Sequence, residues 1–368
     1  MIKQLRLENF KCFQDETIQL SNLTLLAGLN GMGKSSVIQA LLLLRQSYDS
    51  LLLQQKKLGL NGDYTEVGTS SDLLYTYFDK REIGITLETD ADQQFRWRWT
   101  AENDFDILDE IDSSAGGPLE ELSLFSNNFH YLSAERVGPR AFYTTSTAKV
   151  IHENQLGING ELAANYFAYN KEQKVIVPGF KREATEGQSL YEQVNAWLHI
   201  IRPGTKVVVK ESPDAGIVTL NFEFVQGKDN PRSYKANNVG FGLTYIFPLI
   251  VAVISSQPGT LLLLENPEAH IHPKGQAELG ILLATAAAAG IQIIVETHSD
   301  HILNGIRYAV KNGILNKDQC RLLFFSGKVI KDRFKHYVEH IKVTADGKLS
   351  RRPEDFFDVW ENMLLKLV

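Results

Sequence analysis

Residues Gly28-Leu29-Asn30-Gly31-Met32-Gly33-Lys34-Ser35 spell G-x-x-x-x-G-K-S, a pattern whose chemistry is the holding of phosphates. Glycines let the backbone wrap an anion without interference from Cβ atoms. Consecutive N–H groups and the N-terminus of a following helix then point at the anion. Lys34 is spaced to reach the β- and γ-phosphates of a nucleoside triphosphate, and the Ser35 hydroxyl to ligate Mg²⁺. Asn30, Gly31, Gly33 and Ser36 complete the candidate cradle. A plain glycine turn between two elements is the alternative, but the flanks argue for the cradle. LTLLA, from Leu23, reads as a short buried strand, and SSVIQALLLLRQ, from Ser35, reads as a helix. The loop does not contact the base, so these residues alone leave adenine open.

Such a loop needs an acid on a neighbouring strand to finish its Mg²⁺ site. GTLLLLENPEAHIHPKGQ, from Gly259, offers one. Leu261–Leu264 suit a strand buried on both faces. Glu265 falls at its end, where ligands gather in open α/β sheets, and Glu268 follows three residues on. Downstream, Ile291–Val295 read as another buried strand, with a helix expected to begin near Ser299 or Asp300. His298 stands between them, where a histidine can face a γ-phosphate or the attacking water. Upstream of the acidic strand, Gly240-Phe241-Gly242 opens an apolar helix, NNVGFGLTYIFPLIVAVISS from Asn237. Its N-terminus is a second anion-binding end. His270 and His272 form an H-x-H, which is read as part of the loop after the acidic strand rather than as a metal site.

The order of these elements resembles the ABC-class ATPase heads of the RecF, SMC and OLD (overcoming lysogenization defect) proteins. IKQLRLENFKCFQDETIQLSNLTLLAGLNGMGKSS, from Ile2, looks like their opening through Walker A; LLLLENPEAHIHP looks like Walker B; VETHS looks like the switch-histidine motif. The chain is more similar still to compact stand-alone AAA-family ATPases with a C-terminal domain of unknown function. That likeness rests on VGFGLTYIFPLIVA, ENPEAHIHPKGQ, YLSAERVGPR, GINGE and ADGKLSRRPEDFFD, and it spans nearly the whole chain. It implies an α/β P-loop NTPase of ABC-ATPase-head type, with a mixed sheet core and an inserted α/β lobe. It also implies ATP and Mg²⁺ as ligands, and a homodimer with ATP at its interface. In that arrangement Ser35 and Glu265 hold the metal. Gly240 and Gly242 head a signature-like helix that caps the partner's γ-phosphate.

Two positions depart from the pattern. Gly240 stands where the family carries a serine, so backbone N–H groups would have to do the capping. Alignment on Pro267 places Glu265 at the metal acid and Asn266 at the catalytic glutamate. Asparagine cannot accept a proton as a base does, though it can orient a water. Glu268 is the nearest carboxylate for the base role, and these residues leave the choice between Glu268 and Asn266 open.

The elements that carry these residues must come from 368 residues, of which 43% are hydrophobic and 22% charged, with a net charge of −6. This is the balance of a globular protein, not of a globally basic nucleic-acid binder. Cys12 and Cys320 are the only cysteines, too few for a disulfide framework, which suits a reducing cytoplasm. No apolar run reaches the roughly 18–20 residues of a membrane span, so no membrane insertion is expected. Residues 1–60 are expected to hold the first part of the ATPase core with Walker A, and 61–235 an inserted lobe. Residues 236–316 would hold the signature-like helix, Walker B and the switch histidine, and 317–368 a small basic segment. Within the lobe, Leu119–Asn128 reads as a linker or exposed turn. FHYLSAERVGPRAFY, from Phe129, reads as a strand ending in Arg136 and Arg140, placed either to approach phosphates or DNA or to make surface salt bridges. Lys328, Lys331, Arg333, Lys335, Arg351 and Arg352 fall in the C-terminal segment and leave DNA open as a ligand.

The expected function is an ATPase module that dimerises around nucleotide in a DNA-linked process such as repair or anti-phage defence. The chain stops at Val368, where OLD enzymes carry a nuclease, so a separately encoded effector is expected. The alternatives are a non-hydrolysing ATP-gated scaffold, and a transporter nucleotide-binding subunit. The latter calls for an LSGGQ-like signature and an adjacent Asp-Glu pair, which the sequence lacks.

Overall fold

The computed structural model describes residues 1–180, 187–224 and 232–353. Two bodies divide the chain: Met1–Ser126 with Cys320–Lys342 and Leu349–Val368, and Asn127–Gln319 with Val343–Lys348.

The first body opens with β1 (Ile2–Phe10), β2 (Phe13–Gln19), β3 (Leu23–Gly28) and α1 (Lys34–Asp49), then β4 (Lys57–Gly59), α2 (Ser70–Leu73), β5 (Glu82–Thr89), β6 (Gln94–Thr100) and β7 (Ile107–Ala115). Six of these strands make an antiparallel sheet in the order β2-β1-β5-β6-β7-β4. Its strands alternate, as a sheet with one buried face requires. In β6, Phe95, Trp97 and Trp99 turn inward, while Arg96 and Arg98 turn outward to pair with Asp112 and Glu82. β3 instead buries Leu23–Ala27 without a break, and α1 buries Val37, Ile38 and Ala40–Leu44. Both elements therefore lie in the core, and the loop between them is the part left at the surface.

Leu119–Asn128, read as a linker or an exposed turn, contains the boundary between the two bodies but is not exposed throughout. Two 3₁₀ turns, Leu119–Glu121 and Ser123–Phe125, bury Leu124 and Phe125. Arg45 of α1 pins them, its Nη1 donating to the carbonyls of Leu124 at 2.9 Å and Ser126 at 2.7 Å. The polar composition of the segment hides two anchors that fill a gap beside α1.

The second body runs through β8 (Phe129–Leu132), β9 (Tyr143–Thr144), α3 (Ala163–Asn170), α4 (Leu190–Ile201), β10 (Thr205–Ser212), β11 (Ile217–Phe224), β12 (Arg232–Lys235), α5 (Phe241–Ser255), β13 (Leu261–Glu265), α6 (Pro273–Ala288), β14 (Gln292–Glu296) and α7 (Asp300–Lys311). β10, β11 and β12 form an antiparallel set, with β9 also on β11. β13 lies between β8 and β14, parallel to both. Its four leucines are fully buried, as are Ile293–Val295 of β14, so the apolar runs become strands covered on both faces.

β15 (Cys320–Ile330) and β16 (Arg333–Ile341) return to the first body. β15 lies parallel to β3, and β16 antiparallel to β15. The C-terminal basic segment is thus, over its described residues, largely a hairpin. Among the described residues, no helix is long and apolar enough to cross a membrane.

Candidate active site

In the first body the predicted cradle is one continuous loop between β3 and α1. Gly28 and Gly33 take φ of +135° and +103°, where an L side chain is strained. A Cβ on Gly28 would stand 2.1 Å from the Phe325 carbonyl oxygen, and one on Gly33 2.5 Å from the Cys12 sulfur. Both positions demand glycine for conformation and for space. Lys34 is only 3% exposed. Its ammonium donates to the carbonyls of Gly28 at 3.0 Å and Leu29 at 2.9 Å, curled over the loop it would serve. Asn30 and Ser35 are exposed, whereas Ser36 is buried. The helix N-cap is Gly33, which has no side chain to cap with, and no acid lies in the first turn. The first-turn N–H groups therefore keep their dipole for an outside anion.

Two residues beside this loop carry no sequence signal. His336 of β16 is half-buried, and burial holds its imidazole below the ordinary range, with the backbone of Gly31 and Cys12 offsetting part of that. Cys12 lies beneath Gly33, and burial pushes its thiol up to about 11, with Ser36 offsetting part of the rise.

In the second body, Glu265, Asn266, Glu268 and His298 meet around one turn. The parallel register sets Glu265 of β13 opposite Glu296 of β14. Burial first, then Glu296, raises the Glu265 carboxyl; the Ala134 N–H, the Tyr131 hydroxyl and Arg136 offset part of that rise. Asn266 follows at φ +42°, a left-handed conformation that asparagine tolerates better than most residues. Its N–H donates to the Glu296 carbonyl at 2.9 Å, and its side-chain Oδ1 is buried without a hydrogen-bond partner. Glu268 accepts from the Thr297 hydroxyl and from the His298 N–H, each at 2.7 Å. The His298 ring is exposed. Ser299 caps α7 by accepting from Ile302 N–H at 3.1 Å and donates to Gln276 of α6 at 2.6 Å. That contact ties the start of the histidine-led helix to the helix that follows Glu268.

Gly242 packs on the same turn. A Cβ there would come within 2.4 Å of the His270 carbonyl oxygen, whereas one on Gly240 would meet nothing within 4 Å. The α5 N-terminus has neither a side-chain cap nor a first-turn acid. The His270 ring sits against Phe241 and Tyr245, 5.7 and 4.8 Å between centroids, and His272 caps α6.

Arg136 corrects both expectations made for it. β8 ends at Leu132, and Arg136 lies beyond it, 3% exposed, bound to the carbonyls of Glu265 and Asn266. It is neither a surface ion pair nor free to meet a phosphate. Arg140 is exposed. Glu296 and Tyr131 also belong to the turn. Glu296 could have been flagged as the acid at the end of the second apolar run, but Tyr131 gives no such sign.

The donors suit Mg²⁺. Within the first body Ser35 offers a hydroxyl, and within the second Glu265 offers a carboxylate with a second acid beside it, each a hard oxygen of the kind this cation takes. A divalent cation also relieves the repulsion between adjacent buried carboxylates.

A family model described as "AAA domain, putative AbiEii toxin, Type IV TA system" matches residues 23–304. The chain belongs to this AAA-domain family. That match contains the phosphate loop, the Glu265 strand and the His298 turn. A second model, "Protein of unknown function (DUF3696)", matches residues 315–367 and covers the β15–β16 hairpin, in keeping with the expected C-terminal domain. No curated protein matches the AAA-domain chain. Among solved structures it is similar to an SMC head bound to the C-winged helix domain of ScpA. The TM-score is 0.54 at 15% identity, covering 92% of this chain and 98% of that one. An Smc head with an extended coiled coil, bound to the C-terminal domain of ScpA derived from Pyrococcus furiosus, gives a TM-score of 0.52 at 13% identity. It covers 100% and 99% of the two chains. At these identities the likeness is one of fold: an ABC-ATPase-head P-loop fold with mixed sheets.

Proposed function

We propose that this AAA-domain protein binds Mg²⁺–ATP at Gly28–Ser36 and hydrolyses it as a homodimer with nucleotide between subunits. The observation that carries the reading is the Lys34 ammonium, buried inside a loop that only glycine can build, at a helix start free of acids. Ser35 and Glu265 would hold Mg²⁺, which when bound neutralises charge on the β- and γ-phosphates. Lys34 binds the same phosphates. Asn266 orients the attacking water with its unpartnered Oδ1, and Glu268, fixed by Thr297 and His298, accepts the water's proton. His298 faces the γ-phosphate. The N-terminus of α5, at Gly240 and Gly242, would cap the partner's nucleotide through backbone N–H groups.

The ABC-head fold and the motif resemblance to RecF and OLD heads support a DNA-linked role in the cytoplasm, in repair or defence. The family's description as a putative toxin of a Type IV TA system agrees with a separately encoded partner. A second reading, an ATP-gated scaffold without turnover, is favoured by Asn266 at the place of the catalytic acid and by the hydrogen bonds that already engage both Glu268 oxygens. Phosphate release by the purified protein, with and without duplex DNA, separates the two. Turnover supports the hydrolase, and ATP binding with no release under either condition supports the scaffold.

A further inference from the structure

Arg136 is a buried cation whose guanidinium is held by carbonyls. Nη1 donates to the Ser133 carbonyl at 3.0 Å and to that of Glu265 at 2.7 Å, and Nη2 donates to that of Asn266 at 2.6 Å. Its Nε is buried without a partner, and its guanidinium carbon lies 5.5 Å from the centroid of the Tyr245 ring. Burying a guanidinium is costly unless its surroundings compensate. Here the compensation comes from carbonyl dipoles, an aromatic face and the nearby Glu268 and Glu265 carboxylates, and two of those carbonyls belong to the turn that carries Asn266.

The turn is pinned from both sides. The Asn266 N–H is spent on β14, and its carbonyl on Arg136. With φ at +42°, this residue sits outside the region an unassisted backbone prefers. Removing Arg136 frees one anchor: the Glu265 carbonyl loses this donor, and the Asn266 carbonyl keeps only the longer bond from the Ala269 N–H at 3.2 Å. Tyr245, whose ring lies under the guanidinium, belongs to α5 and also meets the His270 ring edge to face. Arg136 therefore joins the first turns of α5 to the segment from Glu265 to His270.

We propose that Arg136 is the positioning residue of the hydrolytic turn: it fixes the backbone at Glu265 and Asn266, and so sets where the Asn266 amide and the Glu268 carboxylate stand. Through Tyr245 it also couples that placement to α5. The assignment rests on the hydrolase reading for its kinetic consequence, and on the geometry alone for its effect on the turn. Lysine cannot replace the group, because a planar fork reaches two adjacent carbonyls while its face lies on a ring, whereas an ammonium is a point donor.

The test uses the full chain with Arg136→Lys, Arg136→Ala and Tyr245→Leu. Nucleotide affinity is read with a fluorescent ATP analogue, turnover by phosphate release, and the turn by amide hydrogen exchange. Arg136→Lys is expected to lower kcat about tenfold while KM and analogue affinity stay within about threefold. Arg136→Ala is expected to lose about a hundredfold, and added guanidinium to restore part of it. In both variants the Asn266–His270 amides exchange at least about tenfold faster while those of β13 hold. Tyr245→Leu gives a smaller loss of the same kind. The proposal is overturned if kcat and turn exchange stay at wild-type levels in Arg136→Ala. It is equally overturned if affinity collapses with kcat and exchange rises throughout the second body, which is the signature of general unfolding. If the unsubstituted protein shows no turnover, the hydrolase reading fails, and the exchange arm alone decides whether Arg136 holds the turn.

Discussion

The proposed function puts Lys34 on the phosphates and Glu268 on the attacking water, and each assignment makes a separable prediction. Lys34→Ala removes a charge-assisted contact to phosphate, each of which is worth about 1.5–3 kcal/mol. Its affinity for ATP should fall by about 10–100-fold in a fluorescent-nucleotide titration, with little change in melting temperature. Unchanged affinity would mean that the loop does not hold the nucleotide. The two thiols make a pH prediction. Burial raises Cys12 to about 11 and Cys320 to about 12, so the thiolate is the disfavoured form below those values. At pH 8 the native protein should alkylate about a hundredfold more slowly than an ordinary thiol. The rate should climb as pH approaches 11 or when denaturant is added. Fast labelling at neutral pH would show Cys12 to be open. The phosphate loop and Glu265 are legible from sequence because their chemistry is local: glycines, a lysine and a serine at fixed spacing, or an acid directly after a solid apolar run. Arg136 is not. Flanked by Glu135 and Val137, it reads as a surface residue, and the carbonyls that bury it lie 129 and 130 residues away.

At the scale of elements, the two strands that position Glu265 and His298 are readable as apolar runs because parallel strands buried on both faces carry no polar alternation. Their register is not readable, and it is the register that puts Glu296 beside Glu265. The segment Leu119–Asn128 misleads for a similar reason, since its two anchors are defined by what Arg45 and α1 leave to be filled. The α5 N-terminus offers the sharpest element-level test. Gly242→Ala places a Cβ 2.4 Å from the His270 carbonyl oxygen, and such overpacking costs about 1–3 kcal/mol, which a thermal or denaturant melt will register. Gly240→Ser should melt like the wild type. Its φ of −61° is ordinary for any residue, and nothing stands within 4 Å of the new Cβ. Equal melting of the two variants would contradict the packing of α5 on the turn. The glycine at the family's serine position is thus a choice of chemistry rather than of space.

At the level of the whole molecule, the proposed homodimer predicts that nucleotide controls assembly. With ATP and Mg²⁺, Glu268→Gln should run as a dimer in size-exclusion light scattering, and Lys34→Ala as a monomer. A dimer that forms equally without nucleotide would detach assembly from the site. If ATP is hydrolysed with Glu268 as the proton acceptor, steady-state phosphate release by the wild type beside Glu268→Gln will show it. Mg²⁺-dependent turnover should fall by about two orders of magnitude in the variant while ATP binding is retained. Turnover that survives the substitution would remove Glu268 from the base role, and ATP binding without any phosphate release from the wild type would contradict the hydrolase altogether.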